Sequence, residues 1–196
     1  MEEKEKKVYE NDHTGKPVNK AAFKLIHADG FFPEQDVKEM VPWVLGLNYV
    51  PMAYGSEIKN INVIFPGIED VFSRMLGERI ELDRKRSGVF RKPTRVIHFE
   101  HFETISEWCF VIALQKTTFN VYHHVKDIRY NGYGEVDSRS VLEGYQFDYN
   151  NLFEWDVVTN VILEPNQGVF FRPWSFHSLE NGLIQYYRLL SKGPLE

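Results

Sequence analysis

One cysteine, Cys109, is the only thiol in 196 residues. A lone thiol closes no intrachain disulfide, and inside the apolar run WCFVIAL it reads as a small buried hydrophobe. Long hydrophobic runs are missing as well: no stretch approaches the roughly 20 apolar residues of a membrane span. The opening MEEKEKK is charged and has no apolar signal region, so the expectation is a cytoplasmic protein that does not engage a membrane. Positive charge is in the minority, with 23 Lys and Arg against 28 Asp and Glu for a formal charge of −5. Holding a phosphate backbone needs a dense basic footprint, which disfavours nucleic acid as a partner. The local exception lies within 84–95, where Arg84, Lys85, Arg86, Arg91, Lys92 and Arg95 cluster. Such a cluster either attracts an anion or is a solvated loop, and the solvated loop is the commoner case. A Gly-rich phosphate loop, a G-x-S-x-G elbow and a CxxC pair are also absent, which removes the usual signatures of nucleotide, serine-hydrolase and thiol-redox sites.

What the chain has in quantity is aromatic: 15 Phe, 10 Tyr and 4 Trp, enough to line a core or a cleft with large flat side chains. Its length suits one compact domain. Residues 1–20 are polar and aperiodic and read as a flexible terminal segment, leaving 21–196 as a single domain. FFPEQDVKEMVPWVLGL reads as a helix opening at Pro33, with Glu34 and Asp36 near its positive end and Val37, Met40, Val41 and Val44 on one face. Pro42 either kinks that helix or ends it at Val41. A second helix is predicted in GIEDVFSRMLGE, with Ile68, Val71, Phe72, Met75 and Leu76 on one face and Gly77 as a left-handed stop. After it, RVIHFEHF, EWCFVIAL, TTFNVYHH, WDVVTNVIL, GVFFRPW and LIQYYRLL are short, β-branched or aromatic, and divided by turn formers. Helices followed by a run of strands predict a mainly β, α+β fold, a sandwich or barrel with N-terminal flanking helices. Residues 129–152 read as a long insertion loop of the kind that often carries function.

In IHFEHF, residues 97–102, side chains two apart share a strand face, so His98 and Glu100 project together while Ile97 and Phe99 project away. An imidazole and a carboxylate on one strand make two corners of a metal site. A second imidazole from a distant strand completes the two-His-one-carboxylate set of non-haem Fe(II) oxygenases, and His177 in GVFFRPWSFHSL is the residue that fits. The same spacing recurs on the opposite face at His101 and Glu103, so the register is open, although apolar neighbours on both sides favour His98 and Glu100. A plainer reading stands beside this one: a His-x-Glu pair is often only a hydrogen-bonded pair, and His177 alone reads as a core residue. His123 and His124 are further candidates that read by default as a surface pair.

The order of these residues resembles the double-stranded β-helix, or cupin-like jelly roll, of the 2-oxoglutarate- and Fe(II)-dependent oxygenases. LEPNQGVFFRPWSFHSLENG is similar to that family's segment leading into its distal histidine, and DGFFPEQDVKEMV to its opening helix. The likeness runs from about residue 29 to 191, with the specific motifs from about 97 onward, and extends to phage-encoded oxygenase-like proteins. It implies a dioxygenase that hydroxylates or demethylates a small-molecule or peptide substrate with Fe(II) and 2-oxoglutarate, held by His98, Glu100 and His177. It further implies that Arg188, in LIQYYRLL, takes the cosubstrate's far carboxylate, and that Tyr122 or Tyr186 adds a hydroxyl. Trp174, Arg172 and Tyr130 would face the substrate, with Tyr133 and Tyr145 also in the lid-forming loop. Two departures stand out: Glu100 replaces the usual Asp, and Leu189 and Leu190 precede Ser191 where the family often has Arg-x-Ser. The competing expectations are a metal-free cupin-like isomerase or ligand-binding protein, and a non-catalytic interaction sandwich.

Overall fold

The computed structural model describes residues 25–51, 57–59, 66–91, 96–100, 103, 107–126, 143–145 and 151–195. The expected flexible segment, 1–20, and most of the 129–152 loop lie outside them. The elements are β1 (Ile26–Asp29), α1 (Glu34–Leu45), β2 (Val50–Pro51), β3 (Glu57–Lys59), α2 (Ile68–Leu76), β4 (Glu78–Arg91), β5 (Trp108–Ala113), β6 (Thr117–His124), β7 (Trp155–Leu163), β8 (Gln167–Phe171), β9 (Phe176–Glu180) and β10 (Leu183–Pro194). They form a seven-stranded sheet in the order β1-β8-β5-β10-β4-β3-β2 and a three-stranded sheet in the order β7-β6-β9. The pairings are antiparallel throughout, and the two sheets close on each other as a double-stranded β-helix.

The alternation of β5 explains how one strand serves two cores. Trp108, Phe110 and Ile112 join an apolar cluster with α1, α2 and Tyr187 of β10, while Cys109, Val111 and Ala113 join a second cluster with Phe119, Val121, Leu179 and Tyr186 between the sheets. A strand buried on both faces reads as an unbroken apolar run, which is what WCFVIA is. Gly168 of β8 is required beside it. A Cβ there would stand 2.5 Å from Cζ of Phe110 and 2.8 Å from the Val111 carbonyl oxygen, in the space taken by the Phe110 ring, itself stacked on Phe170 at 4.2 Å.

Both helices lie against the outer face of the large sheet. Gly77, with φ of 69°, ends α2 as expected and donates its N–H to the Ser73 carbonyl at 2.8 Å. In α1 the outcome differs from the shorter alternative, because the helix runs through Pro42 to Leu45. Proline there forgoes only the bond to the carbonyl four residues back, while Met40 and Val44 stay buried and Val37 and Val41 pack against the same cluster. Of the RVIHFEHF segment, the described residues 96–100 make one antiparallel bridge, His98 to His177. The strand β4 emerges from the segment read as a charged loop; Arg84 and Lys85 are exposed on it, and Arg86 is half-buried.

Candidate metal centre

The His98–His177 bridge fixes the site by backbone. The His98 N–H donates to the His177 carbonyl at 3.0 Å, the His177 N–H returns to the His98 carbonyl at 2.8 Å, and the Glu100 N–H donates to the Pro173 carbonyl at 2.8 Å. Residues directly opposite in an antiparallel pair project from the same face, so His98 and His177 project together and Glu100, two residues along, joins them. The proline turn before His177 therefore holds the strand that carries the carboxylate.

The side chains complete the arrangement. Nδ1 of His98 lies 2.9 Å from the Val96 carbonyl oxygen, and Nδ1 of His177 lies 2.9 Å from the Ser175 carbonyl oxygen. A carbonyl only accepts, so each ring carries a proton on Nδ1, which leaves the Nε2 lone pair of the neutral imidazole to face a metal ion. Both Nε2 atoms face Oε1 of Glu100, at 3.3 Å from His98 and 3.7 Å from His177. The three ligand atoms lie within 4.8 Å of one another, the one such group of three among the described residues. The rings of Phe171 and Phe119 wall His177 at 4.6 and 5.6 Å. His177 is 1% exposed, against 35% for His98 and 30% for Glu100, so the group is dry on one side and open on the other.

The electrostatics of the three side chains suit a divalent cation. Burial works against the charged form of Glu100, yet His98, His177 and Arg188 outweigh it and hold its carboxyl at about 2. Burial also opposes a charged His98, but the hydrogen bond and charge of Glu100 raise its pKa. His177 is pushed down to about 3 by burial and by the His98 charge, which keeps its imidazole neutral. One carboxylate and two imidazoles with tied-back Nδ1 atoms, converging from two strands, are the donor set that suits a divalent non-haem iron site with open positions. The residues present fit that ion.

Arg188 stands close by on β10, on the inward face with Tyr186. Its Nε donates to Oε2 of Glu107 at 2.7 Å, and its Nη2 bonds the same oxygen. Nη1 faces Cys109 Sγ at 3.2 Å and the Tyr186 hydroxyl at 3.5 Å. Burial pushes the Cys109 thiol up to about 12, consistent with its reading as an inert hydrophobe.

Of the residues singled out in the sequence, His98, Glu100 and His177 converge, Tyr186 and Arg188 lie beside each other on β10 with Arg188's charge acting on Glu100, and the others lie elsewhere. Tyr122 pairs with Phe176, while its neighbour Val121 pairs with His177, so Tyr122 faces away from the triad and its hydroxyl meets Ser178 Oγ at 3.1 Å. Tyr122 and Phe176 belong to a third apolar cluster with Ile97 and Trp155, against which Phe99, Trp174 and Tyr145 pack. Arg172 lies over the Trp108 ring at 3.5 Å and donates to the Glu107 carbonyl at 3.1 Å, a clamp on the outer core. The Glu103 carboxylate faces Arg86 rather than the triad, and His101, Tyr130 and Tyr133 lie outside the described residues. His123 and His124 are no surface pair, since both are buried; His124 stacks on Tyr145 at 4.5 Å. The residue missed outright is Glu107. Counting back by two from inward-facing Cys109 places it on the inner face, a signal hidden by its position in the polar lead-in to β5.

No protein-family model matches the chain, nor does any curated protein. Solved structures do match in fold. The epimerase SnoN, solved with Fe3+, alpha ketoglutarate and nogalamycin RO, is similar over 87% of this chain and 80% of its own at a TM-score of 0.56 and 12% identity. HygX from Streptomyces hygroscopicus, with nickel, 2-oxoglutarate and hygromycin B bound, is similar over 89% and 84% at 0.53 and 9%. An oxidoreductase of the 2OG-Fe(II) oxygenase family from Burkholderia pseudomallei is similar over 90% and 88% at 0.50 and 10%. At such identities the likeness is one of fold, and the chain has the fold of these enzymes.

Proposed function

We propose that the protein is an Fe(II)- and 2-oxoglutarate-dependent dioxygenase that hydroxylates or demethylates a small-molecule or peptide substrate. The observation that carries the reading is the convergence of His98 Nε2, His177 Nε2 and Glu100 Oε1 within 4.8 Å. Structures of the same fold that hold iron or nickel with the 2-oxo acid, and a small molecule beside them, support it. Residues 21–196 are taken as one domain and the cytoplasm as its location; among the described residues no helix is long and apolar enough to cross a membrane.

In this reading His98, Glu100 and His177 hold Fe(II), and Arg188 takes the far carboxylate of 2-oxoglutarate. The bound ion and keto acid together supply the oxidative decarboxylation that drives oxidation of the substrate. The chain supplies position. The Val96 and Ser175 carbonyls fix the proton on Nδ1 of each imidazole, so neither ring has to change tautomer to bind. Arg188 offers a charge that persists when buried, and the Tyr186 hydroxyl beside its Nη1 adds a donor. Phe119 and Phe171 exclude water behind His177.

The test is anaerobic titration with Fe(II), followed by succinate formation from 2-oxoglutarate. One ion per chain is expected, lost in His177→Ala, and cosubstrate turnover is expected to vanish in Arg188→Ala. A protein that takes up no divalent metal overturns the reading and leaves the metal-free binding module in its place.

A further inference from the structure

The turn Arg172–Ser175 carries the chain from Phe171 at the end of β8, in the large sheet, to Phe176 at the start of β9, in the small one. Its entry is anchored, since the Arg172 guanidinium lies over the Trp108 ring at 3.5 Å and Nη1 donates to the Glu107 carbonyl at 3.1 Å. The turn closes with the Ser175 N–H on the Arg172 carbonyl at 2.9 Å. Two of its carbonyls then serve the triad: that of Pro173 accepts the Glu100 N–H at 2.8 Å, and that of Ser175 lies 2.9 Å from Nδ1 of His177.

The register around this turn is irregular. His98 and His177 exchange both backbone bonds, and in a regular antiparallel ladder the next residues to exchange bonds would be Glu100 and Ser175, two further along on each side. Instead the Glu100 N–H reaches Pro173, and the Ser175 N–H is taken up inside the turn. The same rung of the ladder is therefore reached from His98 to Glu100 on one side and from His177 back to Pro173 on the other. Extra residues on one side of a pair bend the chain and re-aim the side chains beside them. The Glu100 backbone follows the turn rather than the line of β9, and from there its Oε1 stands 3.3 Å from His98 Nε2 and 3.7 Å from His177 Nε2. An aspartate on the same backbone would end one carbon–carbon bond, about 1.5 Å, short, against a tolerance of about 0.2 Å in metal–ligand distances.

We propose that Pro173 is a positioning residue whose turn sets the length of the carboxylate the site requires: it holds the backbone of residue 100 where a glutamate reaches both imidazoles and an aspartate does not. This rests on the functional reading above and adds the device that fixes its ligand set to glutamate. Proline suits the post because its ring fixes φ and its carbonyl is its only backbone hydrogen-bonding group.

The test is anaerobic titration of the full chain with Mn(II), followed by calorimetry, and with Co(II), followed by visible absorption, which reports the ligands around the ion. Glu100→Asp is expected to weaken Mn(II) about tenfold or more, with a Co(II) band that matches Glu100→Ala and differs from wild type. Pro173→Gly keeps the carbonyl and frees the turn. In that background the cost of Glu100→Asp is expected to shrink about threefold or more, because a backbone free to approach lets the shorter side chain reach. A turn that merely stabilises the fold would weaken Mn(II) with either carboxylate alike; an unchanged cost of Glu100→Asp therefore overturns the positioning role. Pro173→Ala decides the same point where Pro173→Gly does not fold. Glu100→Asp with the affinity and Co(II) band of wild type overturns the length requirement while the functional reading stands. A wild type that takes neither ion overturns the functional reading and this inference with it.

Discussion

Glu100 keeps 30% of its side chain exposed and offers one oxygen to two imidazoles at 3.3 and 3.7 Å, whereas Glu107 is 2% exposed and has both oxygens committed to Arg188 and the Glu103 N–H. Both carboxylates belong to the same barrel, and each faces cationic or ionisable groups. They differ in what is left over: Glu100 has room for an ion among its partners, and Glu107 is saturated. A buried charge that is fully bonded braces a structure, while a half-open one facing two imidazole nitrogens makes a site.

The largest effect should come from breaking the saturated pair. Arg188→Met leaves the Glu107 charge buried without its main partner and is expected to cost about 3–5 kcal/mol in denaturant melts, with Arg188→Met/Glu107→Leu recovering most of that loss. Glu100→Ala, measured in chelator, is expected to cost less than Arg188→Met, because Glu100 itself and His98 remain partly solvated. Equal losses in the two experiments would erase the distinction between brace and site.

The next largest effect is on the open side. Fe(II) or Mn(II) at about 100 times its Kd is expected to add about 2.7 kcal/mol of stability, and Glu100→Ala, His98→Ala and His177→Ala each to abolish that gain. Thermal melts with and without metal measure it, and a gain that survives His177→Ala places the ion elsewhere.

A smaller effect, and a sign that can be checked, concerns pH in the metal-free protein. His177 is depressed from 6.5 to about 3 and Glu100 from 4.5 to about 2, so between these limits the unfolded chain binds more protons than the folded one. Stability is then lost as pH falls, from about 6.5 downward for His177 and from about 4.5 downward for Glu100. His98 is raised and works the other way, its contribution being full below 6.5 and lost as pH rises through its folded value. His177→Phe, a neutral filler between Phe119 and Phe171, is expected to flatten the acid limb between about 6.5 and 4.5 in chelator melts.

The convergence of His98 and Glu100 with His177 was legible because strand alternation turns His-x-Glu into a shared face at any register. Tyr122 was not, since its face relative to His177 depends on which residue pairs with which, and the Val121–His177 partnership is a fact of β6 and β9 together. The charged residues of β4 hid a strand: Ile80 and Leu82 alternate into the helix-side cluster, but Arg84, Lys85 and Arg86 after them read as a solvated loop. Pro42 left two outcomes open, and the helix runs on past Val41 because an apolar face from Val37 to Val44 outweighs one missing hydrogen bond. Glu107 carried only its alternation with Cys109, hidden in the polar lead-in to β5, and its partner Arg188 lies on another strand.

The smallest expected effect uses distance as the control. Lys116 Nζ and Glu164 Oε1 are 2.7 Å apart, the same separation as Arg188 Nε and Glu107 Oε2, but their side chains are 61% and 41% exposed. In water-like surroundings the Coulomb gain is screened and each long side chain loses rotamer freedom on pairing, so Lys116→Met should change stability by less than about 1 kcal/mol. Chemical denaturation against the Arg188→Met variant measures both on one scale. Similar losses would mean that contact distance alone decides the strength of these pairs; the expected gap of several-fold assigns it to burial, the property that separates Glu107 from every carboxylate on the surface.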